Sequence, residues 1–199
     1  MKKILLLSGL LLSFNSQAGI EITPFTGLKT SGEFQEFTTG TRLNVDDSSS
    51  YGFVIDSDYD HDGQIQFLYS KQSSPLRAGQ VVPSDILFDV DIEYFHIGGL
   101  ILDPVNAKMN SYIGAGLGLT HFSPSVPNYS SNSELSLSLS GGIKHNFSKH
   151  IGMRVGVTFY GTSVNKNTSI FCNNGSCNIH FKSNLFTQFE AQAGIILRF

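Results

Sequence analysis

The spacing that most suggests chemistry is a run of aspartates at alternate positions, Asp56, Asp58, Asp60 and Asp62, followed by Gly63. Alternating acids before a glycine are typical of the first half of an EF-hand calcium loop. The acid that should close such a loop is missing, because residues Gln64 to Ser70 contain no carboxylate. A polar turn is therefore the favoured interpretation, and a calcium site is the alternative.

The chain has two cysteines, Cys172 and Cys177, separated by Asn-Asn-Gly-Ser. Asn174-Gly175 favours a turn that brings the two thiols together. Exported proteins meet oxidising conditions, so we predict a local disulfide. A metal site that also uses His180 is disfavoured, because a zinc site normally needs four ligands. We predict no cofactor.

A pair that could serve an esterase is His121-Phe122-Ser123. It resembles in part the His–Ser pair of outer-membrane lipid A deacylases, but the flanking Asn and Gly of that family are absent and Pro124 follows. The chain has no nucleophile elbow and no metalloprotease helix motif. We therefore do not predict an enzyme, and lipid modification is the least favoured function.

Seven charged residues alternate with apolar neighbours and are predicted to face the interior of a barrel. They are Asp89, Asp91, Glu93, Lys144, Arg154, Glu190 and Arg198. A charge in a narrow barrel must find a partner, so the favoured interpretation is an internal network of salt bridges and hydrogen bonds. Arg154 and Glu190 lie on neighbouring predicted strands and are the first pair expected. The alternative is a path for protons or ions.

The hydrophobic period that places these residues is two, which indicates strands. Leu135, Leu137 and Leu139 alternate with serines, and the odd positions from Ile151 to Phe159 are apolar. One apolar face suits both a sandwich and a membrane barrel. The other face carries mostly Ser, Gly and Thr, which suits a narrow polar lumen with the apolar face turned to lipid.

Counting strands back from Phe199 predicts an all-β fold, an eight-stranded antiparallel up-and-down transmembrane β-barrel. The predicted strands are Ile20–Lys29, Tyr51–Ser57, Gln64–Gln72, Ile86–Leu102, Met109–Phe122, Glu134–Phe147, Ile151–Val164 and Phe181–Phe199. Short and long connections alternate, as in outer-membrane barrels, which puts both termini in the periplasm. We interpret the alternating segment Thr39–Val45 as a strand extension beyond the membrane.

The first residues have the form of a secretory signal peptide. Lys2 and Lys3 precede a short apolar run, and Ser16-Gln17-Ala18 offers a cleavage site. We predict a signal peptide at residues 1–18 and a barrel domain at residues 19–199. Charged residues make up 15% of the chain and the net charge is −3, which gives no reason to expect nucleic acid, since its binding favours a basic surface.

The last residues resemble the C-terminal signal of bacterial outer-membrane barrels, which the barrel-assembly machinery recognises. The residues that carry this resemblance are Gln192, Gly194, Leu197 and Phe199.

Three internal segments, Ile22–Gly27, Ser50–Phe53 and Ile92–Gly99, resemble the small proteobacterial outer-membrane β-barrel family of the OmpX, OmpA and OmpW types. The resemblance implies a bacterial outer-membrane location, contact with outer-membrane lipid and lipopolysaccharide, and a monomer. It implies a structural or surface-interaction role in the envelope, with a narrow OmpW-like channel for small hydrophobic compounds as the alternative.

Overall fold

The computed structural model describes residues 19–30, 33–35, 42–78, 85–126, 131–164, 172–173, 176–177 and 185–199. The predicted signal peptide lies outside these residues. Over the described part every regular element is a strand. No helix there is long and apolar enough to cross a bilayer.

Twelve strands follow one another along the described chain. They are β1 (Ile20–Thr30), β2 (Glu33–Gln35), β3 (Arg42–Val45), β4 (Ser48–Asp58), β5 (Gly63–Ala78), β6 (Asp85–Asn106), β7 (Met109–Pro124), β8 (Asn132–Asn146), β9 (Ile151–Ser163), β10 (Cys172–Asn173), β11 (Ser176–Cys177) and β12 (Leu185–Arg198).

Eight of these strands form a closed antiparallel barrel in the order β1-β4-β5-β6-β7-β8-β9-β12, and β12 pairs with β1 to close it. This confirms the predicted fold class. The short strand β3 pairs with the far end of β5, through Leu43 opposite Ala78, and β2 pairs with β3. The part of the segment Thr39–Val45 that the structure describes, residues 42–45, therefore extends the wall without adding a ninth barrel strand.

The two ends of the barrel differ in their connections. Three short turns, at residues 59–62, 107–108 and 147–150, lie at the same end as Gly19 and Phe199; we call it the terminal end. In the first turn the amides of Tyr59 and Asp60 both donate to the carbonyl of Gly63. The longer connections all lie at the opposite end, the loop end. The predicted alternation of short and long connections is confirmed.

Alternate residues along each strand point into and out of the barrel, as the pleat requires. On β12, Ile195 and Leu197 are exposed on the outer face, whereas Gln192 and Ile196 are buried inside. On β8, Leu135, Leu137 and Leu139 are exposed and Ser136 and Ser138 are buried. The barrel thus turns its apolar side chains outward, the reverse of a water-soluble sandwich.

Beyond the barrel, β10 and β11 form a small hairpin in which Cys172 and Cys177 are cross-strand Cα partners. Their side chains lie outside the described part of the structure, so the disulfide remains a prediction.

Candidate functional site

The lumen near the terminal end is filled by five ionised side chains, which we call the ion-pair cluster: Glu21, Asp56, Lys144, Arg154 and Arg198. Lys144 Nζ donates to Glu21 Oε2 at 2.7 Å, to Asp56 Oδ2 at 2.7 Å and to Gln64 Oε1 at 2.6 Å. Arg198 donates to Glu21 through Nε at 2.9 Å. All three N–H groups of Lys144 have acceptors, so this buried charge is compensated.

Arg154 joins the cluster from β9, where it is the cross-strand Cα partner of Lys144. Its NH1 group donates to Asp56 Oδ2 at 2.9 Å and its Nε to the hydroxyl of Tyr112 at 3.0 Å. The Tyr112 phenol lies over Gly156, where any Cβ would overlap the hydroxyl. Glycine at this position therefore makes room for the ring that orients Arg154.

Further toward the loop end, apolar side chains from β1, β4 and β5 fill part of the lumen. Phe25, Val54 and Leu68 are at most 7% exposed and belong to one buried cluster. Val54 and Leu68 are cross-strand partners, and the Phe25 ring lies 2.8 Å from the place where a Cβ on Gly52 would be. On this side of the lumen, the apolar layer lies between the ion-pair cluster and the polar groups further along the strands.

A second polar group, the upper polar cluster, follows along the strands: Lys29, Ser70, Tyr94, Tyr160 and Glu190. The hydroxyls of Ser70 and Tyr160 donate to the two oxygens of Glu190 at 2.8 and 2.6 Å. Lys29 Nζ lies 3.7 Å from Glu190 Oε1 and 4.5 Å from the centre of the Tyr94 ring. Tyr94 stacks on Tyr160 with centroids 4.0 Å apart. The lysine charge is thus balanced by one carboxylate and two ring faces.

At the loop end the interior becomes apolar again. Val90, Ile92, Phe122, Val164 and Phe186 are at most 2% exposed and belong to the same buried cluster as Phe25. We call them the apolar cap. Side chains therefore fill the lumen in four successive layers.

The structure places four of the seven predicted lumen charges inside and three outside. Lys144, Arg154 and Glu190 are at most 2% exposed within the lumen, and Arg198 lies at its terminal mouth. Asp89, Asp91 and Glu93 instead face outward, because the lumen parity on β6 belongs to Val90, Ile92 and Tyr94. Near the loop end the polarity of the wall is inverted: the cap is apolar inside and the acids are outside.

The expected Arg154–Glu190 pair is also wrong. The Cα partner of Arg154 on β12 is Gly194, and the partner of Glu190 on β9 is Thr158. Because of this offset, Arg154 pairs with Asp56, and Glu190 pairs with Lys29. Sequence reasoning missed Glu21, Lys29 and Asp56 as lumen residues. A signal for the first two was present, because Glu21 and Lys29 share one parity on β1.

The outward acids contribute to a polar patch on the outer face near the loop end. Lys71 Nζ lies 2.8 Å from Asp91 Oδ2 and 3.0 Å from Glu93 Oε1. The hydroxyl of Tyr69 donates to Glu93 at 3.3 Å, and His121 Nδ1 contacts Ser133 Oγ at 2.8 Å. We call these residues, Tyr69, Lys71, Asp91, Glu93, His121 and Ser133, the outer polar patch.

Below the outer polar patch, toward the terminal end, the outer face is aromatic. Tyr69 packs against Phe95 at 5.0 Å and against Phe53 at 5.5 Å between ring centres, and Phe53 continues to Phe67 at 6.0 Å. An aromatic band beside a polar edge is the arrangement found where barrels meet a membrane interface.

The pair His121 and Ser123, on which the esterase alternative rests, does not form a complete catalytic site. His121 contacts Ser133 across β7 and β8, not Ser123, which is the Cα partner of Asp91 on β6. Glu93 is the Cα partner of His121, but its carboxylate is engaged by Lys71 and Tyr69. A nucleophile and base oriented by a third group are therefore not assembled here.

The calcium alternative is also not supported. Asp56 points into the lumen and binds Lys144 and Arg154, while Asp58 accepts from Gln64 Nε2 at 2.7 Å. Asp60 and Asp62 lie in the turn after β4, where Asp60 Oδ1 accepts from the His61 amide at 2.7 Å. Within the described ranges, no group of three or more His, Cys, Asp or Glu residues is placed to hold a metal.

The terminal mouth of the barrel forms a polar vestibule of about 720 Å³, lined among others by Glu21, Asp58, His61, Lys144 and Arg198. The ion-pair cluster forms its floor. Of the predicted assembly signal, Leu197 and Phe199 are exposed on the outer face at this mouth, whereas Gln192 is buried and donates to Thr158 at 3.1 Å.

No family model matches the chain, and no curated protein matches it. Among solved structures, Neisserial surface protein A (NspA) matches with a TM-score of 0.59 at 12% identity, over 92% of this chain and 98% of that one. The fold is that of the small outer-membrane β-barrels.

Two further small outer-membrane barrels agree with this. The outer membrane protein OprG from Pseudomonas aeruginosa matches with a TM-score of 0.61 at 12% identity, over 92% of this chain and 96% of that one. The outer membrane protein AlkL, solved in DMPC lipid bilayers, matches with a TM-score of 0.57 at 10% identity, over 91% and 90% of the two chains. At these identities the comparisons show the fold, and the role depends on the site.

Proposed function

We propose that the chain is an integral outer-membrane protein with a closed lumen, and that its role lies in the cell envelope and at its outer surface. The apolar outer face suits a bilayer, since strands of about 9–11 residues can cross one when tilted. Short turns belong to the periplasmic side in barrels of this kind. The terminal end, with both termini, therefore faces the periplasm and the loop end faces the exterior.

The observation that carries this proposal is the filled lumen. A solute would have to pass the ion-pair cluster, the apolar layer, the upper polar cluster and the apolar cap in turn. The ion-pair cluster includes Lys144 and Asp56. Both are at most 1% exposed, and both are hydrogen-bonded to more than one buried partner. Eight strands enclose only enough space for their own side chains, which favours a structural barrel over a pore.

The same lumen argues against a channel for hydrophobic compounds. Such a solute would have to displace buried ion pairs and offer them no replacement partners, which is costly.

For a partner, we propose lipopolysaccharide at the outer polar patch. With the loop end outside, this patch lies at the outer-leaflet interface, and its carboxylates, tyrosine hydroxyl and imidazole are groups that bind sugar hydroxyls. The aromatic band formed by Phe53, Phe67, Tyr69 and Phe95 lies below it, where acyl chains begin. The barrel-assembly machinery is proposed as a partner only during biogenesis, through the C-terminal strand.

Conductance in planar bilayers tests the closed lumen. We expect the purified protein to give no steady single-channel steps. A matched variant, Lys144→Ala with Arg154→Ala, removes two side chains from the ion-pair cluster and should leave the apolar cap in place. It should therefore also give no single-channel steps. Regular steps from the wild-type protein would refute the closed-lumen proposal.

A further inference from the structure

Gly19 lies at the terminal mouth of the barrel, and the strands on both sides fix its position. Its carbonyl accepts from the Asp58 amide at 3.2 Å, and the next residue, Ile20, is the Cα partner of Ser57 on β4. On the other side, Ile20 exchanges two backbone hydrogen bonds with Phe199, at 2.9 and 3.4 Å. The chain is therefore held in the barrel wall up to Gly19, one residue before β1 begins.

The Asp58 carboxylate faces Gly19. Its Oδ2 atom lies 2.8 Å from the point where a Cβ on Gly19 would be, so a side chain at this position would meet the carboxylate. The Oδ1 atom of Asp58 accepts from Gln64 Nε2 at 2.7 Å. Asp58 thus uses one oxygen within β4 and β5 and turns the other toward the start of β1.

The two cations that line the vestibule together with Asp58 are paired with other acids. Lys144 pairs with Glu21 and Asp56, both at 2.7 Å, and Arg198 pairs with Glu21. A further cation beside the Oδ2 atom of Asp58 would therefore have to come from another part of the chain.

We propose that cleavage after Ala18 gives Gly19 a free ammonium, which pairs with the Asp58 carboxylate and fastens the start of β1 to the end of β4. Cleavage consumes one water molecule: the amide bond between Ala18 and Gly19 breaks, the Ala18 carbonyl becomes a carboxylate, and the Gly19 nitrogen becomes an ammonium. Such α-amino groups are mostly protonated near neutral pH. The nitrogen is bonded to Cα at about 1.5 Å, so a modest rotation of the carboxylate brings Oδ2 to hydrogen-bond distance.

The ion pair depends on the position of the cut. In the uncleaved chain the nitrogen of Gly19 is a neutral amide, which has one hydrogen and no charge. A cut one residue earlier would move the ammonium along the chain by about 3.8 Å, the spacing of consecutive Cα atoms. The proposal rests on the periplasmic position of the terminal end, and it does not depend on whether the lumen is closed.

The mass of the intact protein purified from bacterial envelopes tests the cut. We expect a chain that begins at Gly19, and any other first residue would overturn the proposal. The conductance measurement that tests the closed lumen is independent of this result, so the two proposals can fail separately.

A double-mutant cycle tests the ion pair. The processed protein is unfolded in urea and acetylated at the Gly19 amine near neutral pH, where this amine reacts before the more basic lysines; it is then refolded in detergent micelles beside an untreated portion. Because Asp58 is exposed, the effect is that of a surface ion pair, and acetylation should raise the unfolding equilibrium constant roughly two- to fivefold. In the Asp58→Asn variant, acetylation should leave this constant nearly unchanged.

Asp62→Asn is the matched control, because Asp62 is an exposed acid of the same turn. Acetylation should destabilise this variant as much as the wild-type protein. Equal effects of acetylation in the wild type and in Asp58→Asn would overturn the ion pair, and a loss of the effect in Asp62→Asn as well would show that the whole acidic turn acts on the ammonium and not Asp58.

Discussion

Lys144 and Asp56 meet inside the barrel with Nζ and Oδ2 2.7 Å apart. Their strands, β8 and β4, are separated by three strands in either direction around the wall. This ion pair therefore ties opposite sides of the barrel together across its whole width. Asp56 also accepts from Arg154 NH1 and from Gln66 Nε2, the latter at 2.8 Å, so one carboxylate serves donors from three other strands.

Asp56→Ala should be strongly destabilising, because it leaves Lys144 and Arg154 buried without their shared acceptor. Breaking a buried ion pair from one side costs about 3–5 kcal/mol. Urea unfolding in detergent micelles, followed by heat-modifiable migration on a gel, measures the loss. Asp89→Asn is the control, since Asp89 is exposed on the outer face, and it should change the free energy of unfolding by under about 0.5 kcal/mol. Equal stability of Asp56→Ala and wild type would contradict the network.

The contrast between Asp56 and Asp89 shows what the sequence could reveal. Strand positions, strand number and the alternation of connections follow from a period of two, and the structure confirms them. Pairings across the lumen do not follow, because they depend on the stagger between strands. Asp56 and Lys144 are 88 residues apart, and no local pattern links them.

The predicted lumen position of the acids on β6 was wrong for a different reason. We assigned Asp89, Asp91 and Glu93 to the lumen because polar residues face inward where the wall is covered by lipid. Strand β6 is 22 residues long, well beyond the 9–11 or so that a tilted strand needs to cross a bilayer. In its outer part the rule reverses, and Val90 and Ile92 fill the cap while the acids face outward. The strand length was the available signal, because even the predicted strand, Ile86–Leu102, is longer than a bilayer crossing requires.

Gly156→Ala should destabilise the barrel by displacing Tyr112 from Arg154. A Cβ at position 156 would overlap the Tyr112 hydroxyl and lie 2.7 Å from the carbonyl oxygen of Gly141. Overpacking of this kind costs about 1–3 kcal/mol. Urea unfolding should show Gly161→Ala near wild type, because a Cβ there would meet its nearest neighbour, Leu185, at an ordinary 3.6 Å.

A second substitution identifies the cause of that loss. Tyr112→Phe removes the hydroxyl that the new Cβ would strike, so it should cost less in the Gly156→Ala background than in the wild type. Strictly additive losses would mean that Gly156 serves its own backbone contacts and not the Tyr112 ring.

Lys71→Ala should weaken binding of lipopolysaccharide if the outer polar patch contacts it. The substitution leaves Asp91 and Glu93 as uncompensated negative charges facing an anionic lipid headgroup. Because Lys71 is partly exposed, the effect should be modest, roughly two- to fivefold in affinity. Binding of purified lipopolysaccharide to the protein in micelles measures it. Lys108→Ala is the control, as Lys108 lies in an exposed turn at the terminal end. Equal affinities of both variants and wild type would remove the patch as the contact.

Phe199→Ala should impair assembly in cells while leaving the folded barrel intact. The Phe199 side chain is 77% exposed, so it contributes little packing. Its backbone closes the barrel by hydrogen bonds with Ile20, at 2.9 and 3.4 Å, and these survive the substitution. We expect the heat-modifiable form in outer-membrane fractions to fall several-fold, with unchanged urea stability of the protein that does fold. Phe147→Ala, at an exposed turn on the same end, controls for loss of an aromatic side chain. If Phe199→Ala lowered urea stability and assembly together, Phe199 would be a structural residue and not a recognition signal.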